Sequence, residues 1–360
     1  MNNPLKPIGF LVAACVLLTM PVSSQSGKAS AEQGAVPRYE VDLTWPKPLP
    51  DRWVLGGLGG LCVDKQDHVF ILNRQDVLDA DLNAGKLAPP IIEFDSAGTV
   101  VNAWGDLKDM DPRLHSCTFD QDNSIWIASS PSGMLRKYTH DGSKLLMQLG
   151  KKGALDSSDG TEKGKPLNSE AARFFMPSSL FVDPGNGDVY VADGEGSGGN
   201  RRIAVFGRDG HFLRQWLQED MRTVHCMAVS KQGLVYVCNR EGSEIRVFDK
   251  MGKFQKSIAV PWTPYTPPAN GIRKESGGAA VALDFSQDAA QRFLFLINQN
   301  NARIEIIERE TGRVVSNFGR SGHFPGEFDQ AHGIAVDSMG NIYIAENRGK
   351  RVQKFRVVTR

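Results

Sequence analysis

The stretch Ala331–Phe355, AHGIAVDSMGNIYIAENRGKRVQKF, limits the fold most tightly, because its punctuation recurs along the chain. Ile334 and Val336 alternate with Gly333 and Ala335, Asp337 to Asn341 form a polar Gly-containing turn, and Ile342 and Ile344 alternate again. That pattern predicts a half-buried antiparallel hairpin. Arg348 to Lys350 then turn the chain into a third strand, Val352 to Val358. The same template fits segments starting at Leu58, Leu114, Pro177, Val224 and Gly277. Six strand-rich repeats, spaced roughly 40 to 60 residues apart, are propeller spacing. No repeat can bury its faces alone, so radial stacking around a channel follows. The fold expected is all-β: a six-bladed β-propeller with blades at about 58–105, 114–150, 174–217, 224–258, 277–319 and 328–358.

Tyr39 to Trp45 (YEVDLTW) alternates as a strand well before the first full repeat, whereas the last repeat stops after three strands. The N-terminal strand, within 38–46, is therefore expected to complete the last blade and remove the open edges. Residues 1–24 read as an export signal: Lys6, an apolar run Ile8 to Met20, and Val22-Ser23-Ser24 before Gln25. The run is too short for a comfortable membrane anchor. Val12-Ala13-Ala14-Cys15 resembles a lipoprotein box, but the apolar Val16-Leu17-Leu18 after it argues against lipidation. A periplasmic or secreted protein results, with residues 25–37 as a disordered linker.

The formal net charge of +1, from 42 basic and 41 acidic residues, gives no field for nucleic acid or an anionic membrane. A monomer acting on a small-molecule or peptide-derived substrate is expected. Cys62, Cys117, Cys226 and Cys238 remain after signal removal. Disulfides are permitted in an oxidising compartment, and Cys226 and Cys238 flank one turn symmetrically. The preferred reading of all four is buried small apolar residues. Three long loops interrupt the blades: Asp76 to Pro90, Lys151 to Phe174, and Pro261 to Ser276. Loops of this length cover or build sites. The third, with Trp262 and Tyr265, is the candidate lid or else a linker between blades.

Counting five residues back from the polar residue that opens each turn gives His115, His225 and His332 in blades 2, 4 and 6. The same count gives Gly59 and Ser178 in blades 1 and 3, and Ala279 or Val281 in blade 5. Inner strands line the channel, so the three imidazoles converge on the axis from alternate blades. Three His without a required fourth protein ligand is the pattern of a metal site with an open position. Imidazoles suit zinc, copper, iron and nickel. The second strands end near Arg74, Glu195, Arg240 and Glu346, charges expected at one mouth of the channel. Two arginines beside a metal would bind a carboxylate or an oxyanion.

With these residues in view, Leu58 to Val358 resembles NHL-repeat propellers and, among them, the peptidyl-α-hydroxyglycine α-amidating lyases. The resemblance implies zinc on His115, His225 and His332, and active-site arginines at Arg74 (FILNRQD) and Arg240 (YVCNREG). The family's catalytic Tyr follows the Asp-Gly of blade 3, where VADGEG holds Glu195. The family's Met-Pro before the last His and its calcium-contributing Asp after it are here Gln330, Ala331 and Gly333, which leaves calcium open.

The function this implies is cleavage of the N–Cα bond of a carbinolamide to an amide and glyoxylate, with Glu195 as base. Two alternatives stay in view. One is a metal-dependent hydrolase of lactonase type, although six-bladed lactonases hold calcium on Glu, Asn and Asp. The other is a non-catalytic NHL binding module whose metal pins the channel.

Overall fold

The computed structural model describes Met1 and residues 35–358, apart from 84, 197, 219 and 264–277. The expected export signal, most of the 25–37 linker and most of the candidate lid lie outside the described residues.

Residues from Val36 onward form six four-stranded antiparallel sheets. The inner strands are Leu58–Val63, Leu114–Phe119, Pro177–Val182, Val224–Val229, Ala280–Phe285 and Ala331–Val336, in blades 1 to 6. Each is followed by a second strand that is buried along its whole length, such as Val69–Asn73, Val235–Asn239 and Ile342–Glu346. Burial on both faces explains why these second strands read as near-continuous apolar runs. Their side chains fill the space between blades: Tyr236 and Ile245 of blade 4 share one core with Leu283 and Leu296 of blade 5.

The N-terminal strand closes the ring as expected. Arg38–Val41 pairs antiparallel with Arg351–Val358, so the last blade takes its outer strand from the start of the propeller. Tyr39 anchors it by packing edge-on against Phe295, ring centroids 5.5 Å apart.

Three of the turns between inner and second strands, in blades 1, 2 and 6, are built alike. The carboxylate of Asp64, Asp120 or Asp337 accepts backbone N–H bonds from residues two and four further on. These self-capped turns are the recurring polar punctuation of the sequence.

The preferred reading of the cysteines fails. Cys226 and Cys238 are directly cross-strand and disulfide-bonded, and Cys62 is bonded to Cys117. The second bridge joins the inner strands of blades 1 and 2, with Cα atoms 5.6 Å apart, a neighbourhood that the stacking of successive blades creates. Among the described residues no helix is long and apolar enough to cross a membrane.

Candidate metal centre at the channel mouth

One distortion builds the site. In every blade the ladder between inner and second strand slips by one residue, and the slip falls at the same repeat position. The unpaired residues are Gly59, His115, Ser178, His225, Val281 with Ala282, and His332. A β-bulge leaves its extra residue outside the ladder and re-aims the side chain. Six bulges at one height therefore make a ring.

The ring is tied together around its circumference. His115 Nδ1–H donates to Ser178 O at 2.6 Å, His225 to Val281 O at 2.7 Å and His332 to Gly59 O at 2.8 Å. Each imidazole thus binds the bulged carbonyl of the next blade, which is why histidines alternate with residues contributing only backbone. The ring centroids are 4.9 to 5.2 Å apart. Gly59 must lack a side chain, since a Cβ there would lie 1.8 Å from Leu114 O.

A carbonyl can only accept, so these bonds fix the proton on Nδ1 and leave Nε2 as a bare lone pair. The three ligand nitrogens lie within 4.8 Å of one another. Burial pushes the His225 imidazole down to about 3, with Arg240 and His115 adding to the effect. Burial, then His115 and Arg74, likewise hold His332 well below the usual range. Three buried Nε2 atoms aimed at one point fit a metal ion.

Glu195 sharpens that fit. Its Oε2 lies 3.2 Å from His225 Nε2 and 3.8 Å from His115 Nε2, and none of these three atoms has a hydrogen-bond partner. A carboxylate oxygen and two imidazole nitrogens thus converge in a buried site, an arrangement a cation would satisfy. Burial opposes ionisation of Glu195, but His225 and His115, when an imidazole carries the shared proton, and Arg240 outweigh it and hold the carboxyl well below its ordinary range.

Glu195 is held by a scaffold outside the channel. Its N–H and that of Gly194 both donate to Met176 O, at 2.7 and 2.9 Å. Next to them the fully buried Arg202 joins Asp193 (3.0 Å) and Asp156 (3.3 Å), and Asn200 bridges the same two carboxylates. Asp156 belongs to the long loop Lys151 to Phe174, so that insertion braces the Glu195 turn.

Arg74, Arg113, Glu195, Arg240, Gln330 and Asn347 line a cavity of about 180 Å³ over His115 and His332. The structure thus brings Arg74, Glu195 and Arg240 together with the three histidines, His225 through its 3.2 Å approach to Glu195. Arg74 Nε donates to Leu114 O at 3.0 Å, and burial with the nearby Arg113 pushes its guanidinium down to about 10. Arg240 contacts Glu195 Oε1 at 3.5 Å and Gln299 Oε1 at 3.1 Å.

Glu346 is the exception. It is the last residue of its strand, in register with Asn73 and Asn239 and not with Arg74 and Arg240. It is fully buried and accepts from Asp329 N, Arg351 Nε and Gln353 Nε2. Asn347 takes the mouth position. Arg113 and Gln330 escaped sequence reading. Both stand two residues before a ring His, and that spacing was the available signal.

Fold and site together define a six-bladed β-propeller whose channel gathers three histidines. Residues 328–355 match the family described as NHL repeat. The chain is 27% identical to human NHL repeat-containing protein 3 over 288 residues, covering 75% of this chain and 74% of that protein. It is 24% identical to the Xenopus laevis peptidyl-glycine alpha-amidating monooxygenase B over 343 residues, covering 88% of this chain. The chain spans only about a third of that relative, 35% of its length. Among solved structures, a streptogramin B lyase superposes with TM-score 0.53 at 12% identity, covering 89% of this chain and 98% of its own. Virginiamycin B lyase from Staphylococcus aureus gives 0.51 at 13%, with 89% and 100% covered. At such identities these two speak for the fold.

Proposed function

We propose that this protein is an exported, metal-dependent carbon–nitrogen lyase that cleaves a carbinolamide of the α-hydroxyglycine type. The observation that carries the reading is the set of three buried Nε2 lone pairs, each fixed by an Nδ1–H bond, converging beside Glu195 and two arginines. Similarity to the amidating monooxygenases along 88% of the chain supports it, and the two disulfides are compatible with export.

His115, His225 and His332 would hold the metal, with zinc the first candidate. When bound, such an ion lowers the pKa of a substrate hydroxyl and stabilises the developing alkoxide. Arg74 and Arg240, with Arg113 beside them, give the mouth a positive excess over Glu195 that suits the carboxylate of the glycine half. Glu195 is the base that takes the hydroxyl proton. Burial was expected to raise its carboxyl, but neighbouring positive charge holds it below the ordinary range, so it is ionised and ready to accept. The oxygen's electron pair becomes the second bond of the new carbonyl, and the N–Cα bond leaves with its pair on nitrogen. That nitrogen takes up a proton, giving the amide and glyoxylate.

A second reading rests on one distance. Glu195 Oε2 already faces two of the three Nε2 atoms, so the carboxylate can occupy the position a substrate would need. The protein would then be an NHL binding module with a closed structural metal. Glyoxylate release from an α-hydroxyglycine peptide by the zinc-loaded protein decides between them. Turnover that collapses in Glu195→Gln supports the lyase; no release from wild type supports the module.

A further inference from the structure

On the face opposite the mouth, blade 1 breaks a charge rule that its neighbours keep. The residue facing the second-strand aromatic is Lys137 in blade 2, opposite Trp126, and Lys354 in blade 6, opposite Tyr343. In blade 2 that lysine reaches the turn carboxylate, Lys137 Nζ to Asp120 Oδ2 at 2.7 Å. The equivalent residue in blade 1, opposite Phe70, is Glu93. It is 5% exposed and lies beside the turn residue Asp64, itself 6% exposed. Two carboxylates are thus buried side by side where the two flanking blades, 2 and 6, place a cation. An isolated buried charge is strongly disfavoured unless it is paired or coordinates a metal.

What meets them is imidazole. His140, from the third-to-outer turn of blade 2, puts Nε2 2.7 Å from Asp64 Oδ2, and His68 puts Nδ1 2.7 Å from Glu93 Oε1. His140 is oriented by aromatic rings, with centroids 5.2 Å from Phe70 and 5.6 Å from Phe119. In blade 4 the residue at its repeat position is Lys250, which reaches back to Asp183 of blade 3. A metal-ligating side chain therefore replaces a simple counter-ion at two positions of the same cluster. The donor atoms of Asp64, Glu93 and His140 all lie within 4.8 Å of one another. Asp64 is five residues past Gly59 on the inner strand, about 16 Å from the histidine ring along the strand, so the two centres share no ligand.

We propose that Asp64, Glu93 and His140, with His68 at their edge, form a second divalent cation site that clamps blade 1 to blade 2. Two carboxylates and imidazole suit a borderline ion of the zinc class better than calcium, which prefers oxygen alone.

The test uses chelator-stripped full-length His225→Ala, in which the channel ring is broken, titrated calorimetrically with zinc chloride. One equivalent should still bind and raise the melting temperature by a few degrees. The further change Glu93→Lys installs the lysine that blades 2 and 6 carry, so it should fold, pair with Asp64 and abolish that binding. Absence of zinc binding in His225→Ala would show that the cluster is only a set of His–carboxylate hydrogen bonds. Binding that survives Glu93→Lys in the folded protein would equally overturn the site.

Discussion

The histidine ring divides the channel into two halves of opposite character. The mouth side, about 180 Å³, is walled by Arg74, Arg113, Glu195, Arg240, Gln330 and Asn347. The far side, about 290 Å³, is walled by residues such as Cys62, Cys117, Thr118, Ser179 and Met227, with Asp284 its one carboxylate. Both halves are made by the same inner strands, yet charge collects where strands begin and end. Loop residues at the mouth can vary without disturbing a ladder, whereas far-side positions are fixed by pairing with the second strand of their blade and by the two disulfides. The difference assigns chemistry to the mouth and cohesion to the far side.

The largest expected effect sharpens this division. Glu195→Gln should lower turnover of an α-hydroxyglycine substrate by about 10² to 10⁴ and leave the melting temperature near that of wild type. A variant that unfolds, or that turns over normally, breaks the assignment of chemistry to the mouth.

The far side should answer in the opposite way. Cys62→Ser with Cys117→Ser opens a crosslink spanning 55 residues of sequence. Removing a loop constraint of that size should cost about 4 kcal/mol, read by denaturant unfolding, with zinc content and turnover at 25 °C unchanged. Loss of metal together with stability would mean that the far side also shapes the ring.

The smallest effect concerns Asp284. Burial raises its carboxyl from 3.8 to about 6, against N–H bonds from Phe285 and Val336. The folded state then holds the proton more tightly than the unfolded chain, so this group makes stability fall as pH rises from about 4 to about 6, and the penalty persists above that window. Asp284→Asn should therefore stabilise the protein at pH 7 by on the order of 1–2 kcal/mol, with the gain vanishing by pH 4. A loss of stability at pH 7 would mean that the two N–H bonds outweigh the cost of desolvating that charge.

The propeller and its three histidines were legible because a repeat converts sequence position into geometry. Once the polar turns were aligned, His115, His225 and His332 fell at one height, and the missing fourth strand pointed to Tyr39 to Trp45. What stayed hidden depends on how successive blades stack or on single-residue register. The bridge between Cys62 and Cys117 needs blades 1 and 2 side by side, which neither hairpin announces alone. Glu346 was assigned to the mouth because charge ends each second strand, but a one-residue offset buries it and gives the position to Asn347. The bulge itself was invisible: strict alternation would have set each ring residue in the ladder, and only the slipped pairing turns it to the axis.

The central claim is that three imidazoles on alternate blades hold one metal ion. Elemental analysis of wild type and His225→Ala, each passed through the same weak chelator column, tests it most directly. One equivalent of transition metal retained by wild type and none by the folded variant is the predicted result. Equal metal content in the two proteins, or none in either after zinc loading, would contradict it.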